Sequence, residues 1–100
     1  MPKLNFSVPH GQSQEDARRR LLQFSDGLRN KFQDQISDLQ ESWEGDRLDF
    51  SFGTFGIRIQ GNITVGPSDL AVLCELPFSA MMFKGKIESE VREQLVRVMS

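Results

Sequence analysis

Two side chains of this sequence could carry nucleophilic or metal chemistry, namely His10 and Cys74, which are its only histidine and its only cysteine. His10 stands between Pro9 and Gly11 in a pattern typical of a turn, whereas Cys74 stands inside an apolar run. A metal site or a catalytic dyad needs further ligands or a base at suitable spacing, and neither residue has such neighbours in the sequence. We therefore predict structural roles for both side chains, with no catalytic residue, no bound metal, no cofactor and no enzymatic activity.

The three consecutive arginines Arg18–Arg20 form a basic cluster that could contact phosphate groups. A helix spreads three consecutive residues over a wide arc, and Glu15 and Asp16 stand at a spacing that offsets two of the charges. The whole chain carries 12 basic and 14 acidic residues, for a formal net charge of −2. This balance favours a solvated helix face, and we predict no nucleic-acid partner.

The length and composition indicate the number of domains and the cellular compartment of the protein. Its 100 residues, of which 38% are hydrophobic and 26% charged, predict a single domain over residues 1–100 with one modest core. A lone cysteine excludes an internal disulfide and suits a reducing compartment. No apolar run has the length of a signal peptide or of a membrane span. These features predict a cytoplasmic protein without a membrane span.

The spacing of the apolar residues predicts the elements that must position any site. Alternation from Leu4 to Val8 predicts a strand, and a stripe at intervals of three and four residues predicts one long helix. Gly27 lies within that helix, where it predicts either a bend or a close approach to another backbone. The helical stripe consists of Ala17, Leu21, Phe24, Leu28, Phe32 and Ile36.

The second half of the chain shows mainly the period of strands. Apolar residues alternate on both sides of Glu44–Arg47 between Leu39 and Phe52, which predicts a hairpin. Further apolar runs cover residues 57–65 and 70–76, and a second helical stripe then begins at Ile87. We therefore predict an α+β fold in two layers, with a four-stranded, mainly antiparallel sheet, two helices on one face and the order β-α-β-β-β-α.

Large apolar residues crowd the joint between the last strand and the last helix, at Phe78, Met81, Met82 and Phe83. One interpretation is that the joint turns under the sheet, so that Phe78 and Phe83 close the end of the core. The other is an exposed or half-exposed hydrophobic lip, formed by the same residues, whose flexible methionines adapt to a partner or a lipid-like ligand. The sequence leaves this choice open, and we retain the hydrophobic lip as the candidate binding site.

Several short motifs occur in an order and spacing that span nearly the whole chain. They are Glu15–Arg19 at the start of the first helix, Trp43–Asp46 with Leu48 and Phe50 in the hairpin, Leu76-Pro77 after the last strand, and Phe83–Glu88 at the start of the last helix. Together these motifs resemble the bacterial polyhydroxyalkanoic acid system family. The resemblance implies a setting in storage-granule metabolism. It implies no reaction, because the family offers no catalytic motif to transfer to these residues.

The predicted function is that of a small, non-enzymatic, cytoplasmic protein associated with polyhydroxyalkanoate storage metabolism. Within that setting we predict that the protein binds a hydrophobic ligand, the polyester granule surface or a granule-associated protein. The alternative is a protein-interaction or assembly factor that acts as a homodimer without a small-molecule ligand.

Overall fold

The computed structural model, which describes residues 3–54 and 56–100, shows an α+β fold with a single antiparallel sheet. The elements are β1 (Lys3–Pro9), α1 (Gln14–Leu21), α2 (Phe24–Lys31), β2 (Ser37–Glu44), β3 (Arg47–Thr54), β4 (Ile57–Val65), β5 (Asp69–Glu75), a 3₁₀ turn (Phe78–Phe83) and α3 (Lys84–Met99). The strands are ordered β1-β5-β4-β3-β2, and each neighbouring pair is antiparallel.

The number of strands differs from the prediction of four, because the described part of the chain forms five. The predicted order placed three strands after the first helix, whereas both arms of the hairpin and both later runs pair into the sheet. The outer side of β3 is satisfied by β4, and β5 and β1 continue the sheet, whereas β2 forms its edge. The α+β class and the antiparallel sheet are confirmed, but the predicted strand count and the order β-α-β-β-β-α were wrong.

The long first helix of the prediction is two shorter helices, because the chain turns at Leu22 and Gln23 between α1 and α2. Gly27, the predicted point of a bend, lies inside α2. A Cβ at this position would lie only 2.8 Å from Oε1 of Gln94, a buried residue of α3. Gly27 therefore makes room for the side chain of Gln94, whereas the predicted close approach was to another backbone.

Gly61 has a similar role in the sheet, where it lies between Phe50 on β3 and Cys74 on β5. A Cβ there would lie 2.9 Å from Cζ of Phe50 and 2.6 Å from the backbone oxygen of Leu73. The Phe50 ring in turn meets the ring of Phe24 on α2 edge to face, with 5.6 Å between centroids. The missing side chain thus makes room for an aromatic ring that joins the sheet to the helices.

One face of the sheet is covered by the helices, and the other is polar. On the covered side, α3 contacts β1 and also packs against α1 and α2. The opposite face forms an open depression of about 510 Å³ that is lined mainly by hydroxyl, amide and carboxylate groups. The buried strand residues on the covered face include Leu4, Val8, Leu48, Phe52, Ile59, Ile63, Leu70 and Val72. This division follows from the alternation of apolar and polar residues along the strands.

Candidate hydrophobic binding site

His10 is buried and makes hydrogen bonds to two neighbouring turns. Its Nδ1 accepts from the backbone N–H of Gln12 at 3.0 Å, and its Nε2 lies 2.9 Å from the carbonyl oxygen of Gly66. Because Nδ1 accepts, the ring proton is on Nε2, which donates it to that carbonyl. His10 therefore ties the end of β1 to the turn between β4 and β5, and both ring nitrogens are occupied.

Cys74 is buried in β5, and burial raises the pKa of its thiol to about 12. A thiol that keeps its proton at neutral pH is a poor nucleophile. Within residues 3–54 and 56–100, no group of three or more histidine, cysteine, aspartate or glutamate side chains is placed to hold a metal ion. The positions of His10 and Cys74 fit the structural roles predicted from the sequence.

The hydrophobic lip lies on the 3₁₀ turn, and its side chains are exposed. Ala80 is the residue of this turn that is buried, and its backbone N–H donates to the carbonyl of the preceding Pro77. Side chains three residues apart share a face of a 3₁₀ turn, so Phe83 lies on the same side as Ala80 and the other three lip residues lie on the outer sides. The exposed fractions are 73% for Phe78, 51% for Met81, 83% for Met82 and 45% for Phe83. The interpretation that Phe78 and Phe83 close the end of the core was wrong, and the role of the lip in binding stays a prediction.

Beside the lip, an apolar cleft of about 80 Å³ lies between the helices and the sheet. Its walls come from the end of α2 and the following turn, the adjoining ends of β3 and β4, and one face of α3. Phe83 belongs to both the lip and the cleft, so the exposed apolar surface continues into the molecule. The apolar lining includes Leu28, Phe32, Ile57, Ile59, Ile87 and Val91.

Two charged residues line the apolar cleft, Lys86 and Glu90, and they differ in their ion pairs. Oε2 of Glu90 lies 3.2 Å from Nζ of Lys31, which also lies 3.1 Å from Oε1 of Glu93. Hydrogen bonds to Glu93 and then Glu90 raise the pKa of Lys31. Lys86 has no carboxylate within ion-pair distance in the described part of the chain. Among the described residues, the cleft lining thus contains one glutamate that forms an ion pair and one lysine that forms none.

The sequence indicated only part of this site. The cleft residues of α2 belong to the predicted helical stripe, and Phe83 belongs to the predicted lip. Lys86 was predicted only to flank the lip, and Glu90 was missed, although they follow Phe83 by three and seven residues, a spacing that places them on one helix face. That spacing was the available signal, but periodicity does not distinguish a fully covered face from one that borders a cavity.

The fold and the apolar cleft define a small α+β domain in which an antiparallel sheet and the last helix enclose an apolar space. Residues 4–99 match the family model described as "Putative polyhydroxyalkanoic acid system protein (PHA_gran_rgn)", and the chain belongs to this family. The predicted family is therefore confirmed.

Among solved structures, the chain is similar to the crystal structure of TTHA0849 from Thermus thermophilus. The sequence identity is 10%, the match covers 98% of this chain and 94% of that chain, and the TM-score is 0.44. No curated protein matches the chain. In the part of the chain that the structure describes, no helix is long and apolar enough to cross a membrane.

Proposed function

We propose that the protein binds apolar material in polyhydroxyalkanoate storage metabolism, and that the hydrophobic lip attaches it to the storage polyester. The observation that carries this proposal is the exposure of four large apolar side chains on one tight turn, beside an apolar cleft. Burial of one such side chain on binding contributes about 1.5–3 kcal/mol to the free energy of association, and the free protein, whose lip stays in water, lacks this contribution. The family description supplies the setting, since it refers to a polyhydroxyalkanoic acid system.

The residues around the lip suit a surface that is exposed to solvent in the free protein and buried against the polyester in the bound state. Lys84 and Lys86 follow Phe83 closely and are exposed. Their charges keep the free lip solvated, while their aliphatic stems can lie along an apolar surface with the amino groups in water. Met81 and Met82 are flexible enough to adapt to an irregular polymer surface.

We further propose that this binding takes place in the cytoplasm and without catalysis. The hydrogen bonds of His10 support this, because its ring nitrogens already hold two backbone groups in place. The buried, protonated thiol of Cys74 supports it as well. The chemistry that remains at the lip and the apolar cleft is that of apolar contact and of one uncompensated positive charge.

A homodimer that covers the lip is the alternative function, in which assembly rather than ligand binding is the role. The same exposed side chains favour it, because two lips in contact would also be removed from water. The two functions predict different behaviour of the free protein. A dimer of this kind forms without polyester, and polyester competes with it for the lip.

Co-sedimentation with polyhydroxybutyrate particles tests the proposal. Phe78→Ser and Met82→Ser should each weaken adsorption about tenfold or more, because each removes at least about 1.4 kcal/mol of apolar burial on binding. Val96→Ser is the matched control, since Val96 is an apolar residue of α3 that is 51% exposed and lies outside the lip. It should leave adsorption unchanged.

Light scattering of the free protein separates the alternative. The proposal expects a monomer whose mass is the same in the wild type and in Phe78→Ser. A dimer that dissociates in Phe78→Ser would instead support the assembly function. Wild-type protein that fails to adsorb, or equal losses in Val96→Ser and Met82→Ser, would overturn the attachment of the lip to polyester.

A further inference from the structure

Lys86 is a positive charge without an anionic partner, among the described residues, at the border of an apolar cleft. The other charged residue of the lining, Glu90, is compensated by Lys31 at 3.2 Å. Lys86 is exposed, so water solvates its ammonium group in the free protein, and neutral apolar material bound beside it would remove part of that hydration. An anion that carries an apolar chain satisfies both the lysine and the apolar walls.

The start of α3 adds to this positive character. Its first turn contains Lys84 and Lys86 and no acidic residue, and Phe83 at the N-cap makes no side-chain hydrogen bond to the helix. Positive charges are unfavourable at the N-terminal end of a helix, whereas an anion there is favourable. The charge distribution beside the cleft therefore favours a negatively charged group.

The volume of the apolar cleft limits the length of the hydrocarbon chain that it can bind. Its volume is about 80 Å³. An apolar protein cavity of about 150 Å³ binds benzene, which has six carbons, so the cleft has room for about three or four carbons. The ligand that fits is consequently short, or it inserts only the end of a longer chain.

We infer that the apolar cleft binds short-chain aliphatic carboxylates, with the hydrocarbon chain between Leu28, Ile59 and Val91 and the carboxylate at Lys86. This inference rests on the proposed function and narrows it to the free acid as the ligand of the cleft. Gln35 and Thr54 also line the cleft and bring an amide and a hydroxyl group. They can form hydrogen bonds with a hydroxyl on the ligand, so a hydroxy acid should bind at least as tightly as the simple acid.

The test is an NMR titration of the full chain with butanoate, hydroxybutanoate and hexanoate, and with their methyl esters, at constant ionic strength. We expect shifts at Ile59 and Val91, and affinities for the acids about two- to fivefold higher than for the esters, because the esters lack the charge and Lys86 is exposed. Affinity should rise about fourfold for each added methylene until the chain fills the cleft. Lys86→Gln should abolish the preference for acids, whereas Lys3→Gln, the same change on an exposed lysine of β1 that lies outside both the lip and the cleft lining, should preserve it.

Each outcome of this titration decides the inference. Equal binding of acids and esters in the wild type would overturn it, even if Lys86→Gln did not fold. Loss of the acid preference in Lys3→Gln but not in Lys86→Gln would also overturn it. Adsorption to polyester particles is a separate measurement on the lip. Normal adsorption without carboxylate binding would leave the proposed function standing and remove only this inference.

Discussion

Replacing Gly61 with alanine should lower the free energy of unfolding by about 2 kcal/mol. The added Cβ would lie 2.6 Å from the backbone oxygen of Leu73 and 2.9 Å from Cζ of Phe50. The oxygen belongs to β5, which pairs with both β4 and β1, so it cannot move without disturbing the sheet. Overpacking of this kind costs about 1–3 kcal/mol, and the smaller conformational freedom of alanine in the unfolded chain offsets less than about 1 kcal/mol.

Urea unfolding followed by circular dichroism measures this change, and the midpoint of thermal unfolding should fall by about 10 °C. Gly85→Ala is the matched control, because a Cβ at residue 85 meets no atom within 4 Å and the residue lies in α3. This variant should be as stable as the wild type or more stable by up to about 1 kcal/mol. If Gly61→Ala unfolds within about 0.5 kcal/mol of the wild type, the close packing around Gly61 has no energetic weight and the reasoning fails.

Two further predictions concern the buried polar groups. Cys74 should react with a small thiol reagent only as fast as the protein unfolds, even near pH 10, because its pKa of about 12 keeps the thiol protonated; rapid labelling of the folded protein would contradict this. His10→Ala should cost about 1–3 kcal/mol in urea unfolding, because it leaves the half-buried carbonyl of Gly66 and the N–H of Gln12 without the imidazole. A neutral effect of His10→Ala would show that water replaces the ring without loss.

The parts of the fold that were predictable are those with a clear local signal. The hairpin is an example, since Glu44 pairs with Arg47 across a tight turn that contains Gly45 at a φ of +61°. The break between α1 and α2 had no such signal. Leu22 and Gln23 both have good helix propensity, so the break is imposed by packing rather than by local preference.

The candidate site likewise has one part that was predictable from the sequence and one part that was not. The lip could be proposed from sequence because four large side chains within six positions of a joint cannot all face inward. The apolar cleft could not, because its volume depends on how Leu28, Ile59 and Val91 are spaced, and these residues come from three different elements. The packing of distant elements is not encoded in the periodicity of any one of them.

The region from Phe78 to Lys86 differs from the rest of the chain in its helix capping, its first-turn charges and the burial of its large apolar side chains. We take these differences, which occur within one short segment, as an argument for binding there. At the start of α1, Ser13 accepts a hydrogen bond from the N–H of Asp16, and the first turn is acidic, whereas α3 starts without a side-chain cap and with two lysines. Elsewhere most large apolar side chains are buried, but here four are exposed. Each departure lowers the stability of the free protein, although the preceding 3₁₀ turn satisfies the backbone N–H of Lys84, which donates to the carbonyl of Met81. An apolar surface against the lip and an anion at Lys86 would offset both, which is why these two ligand chemistries belong together at this site.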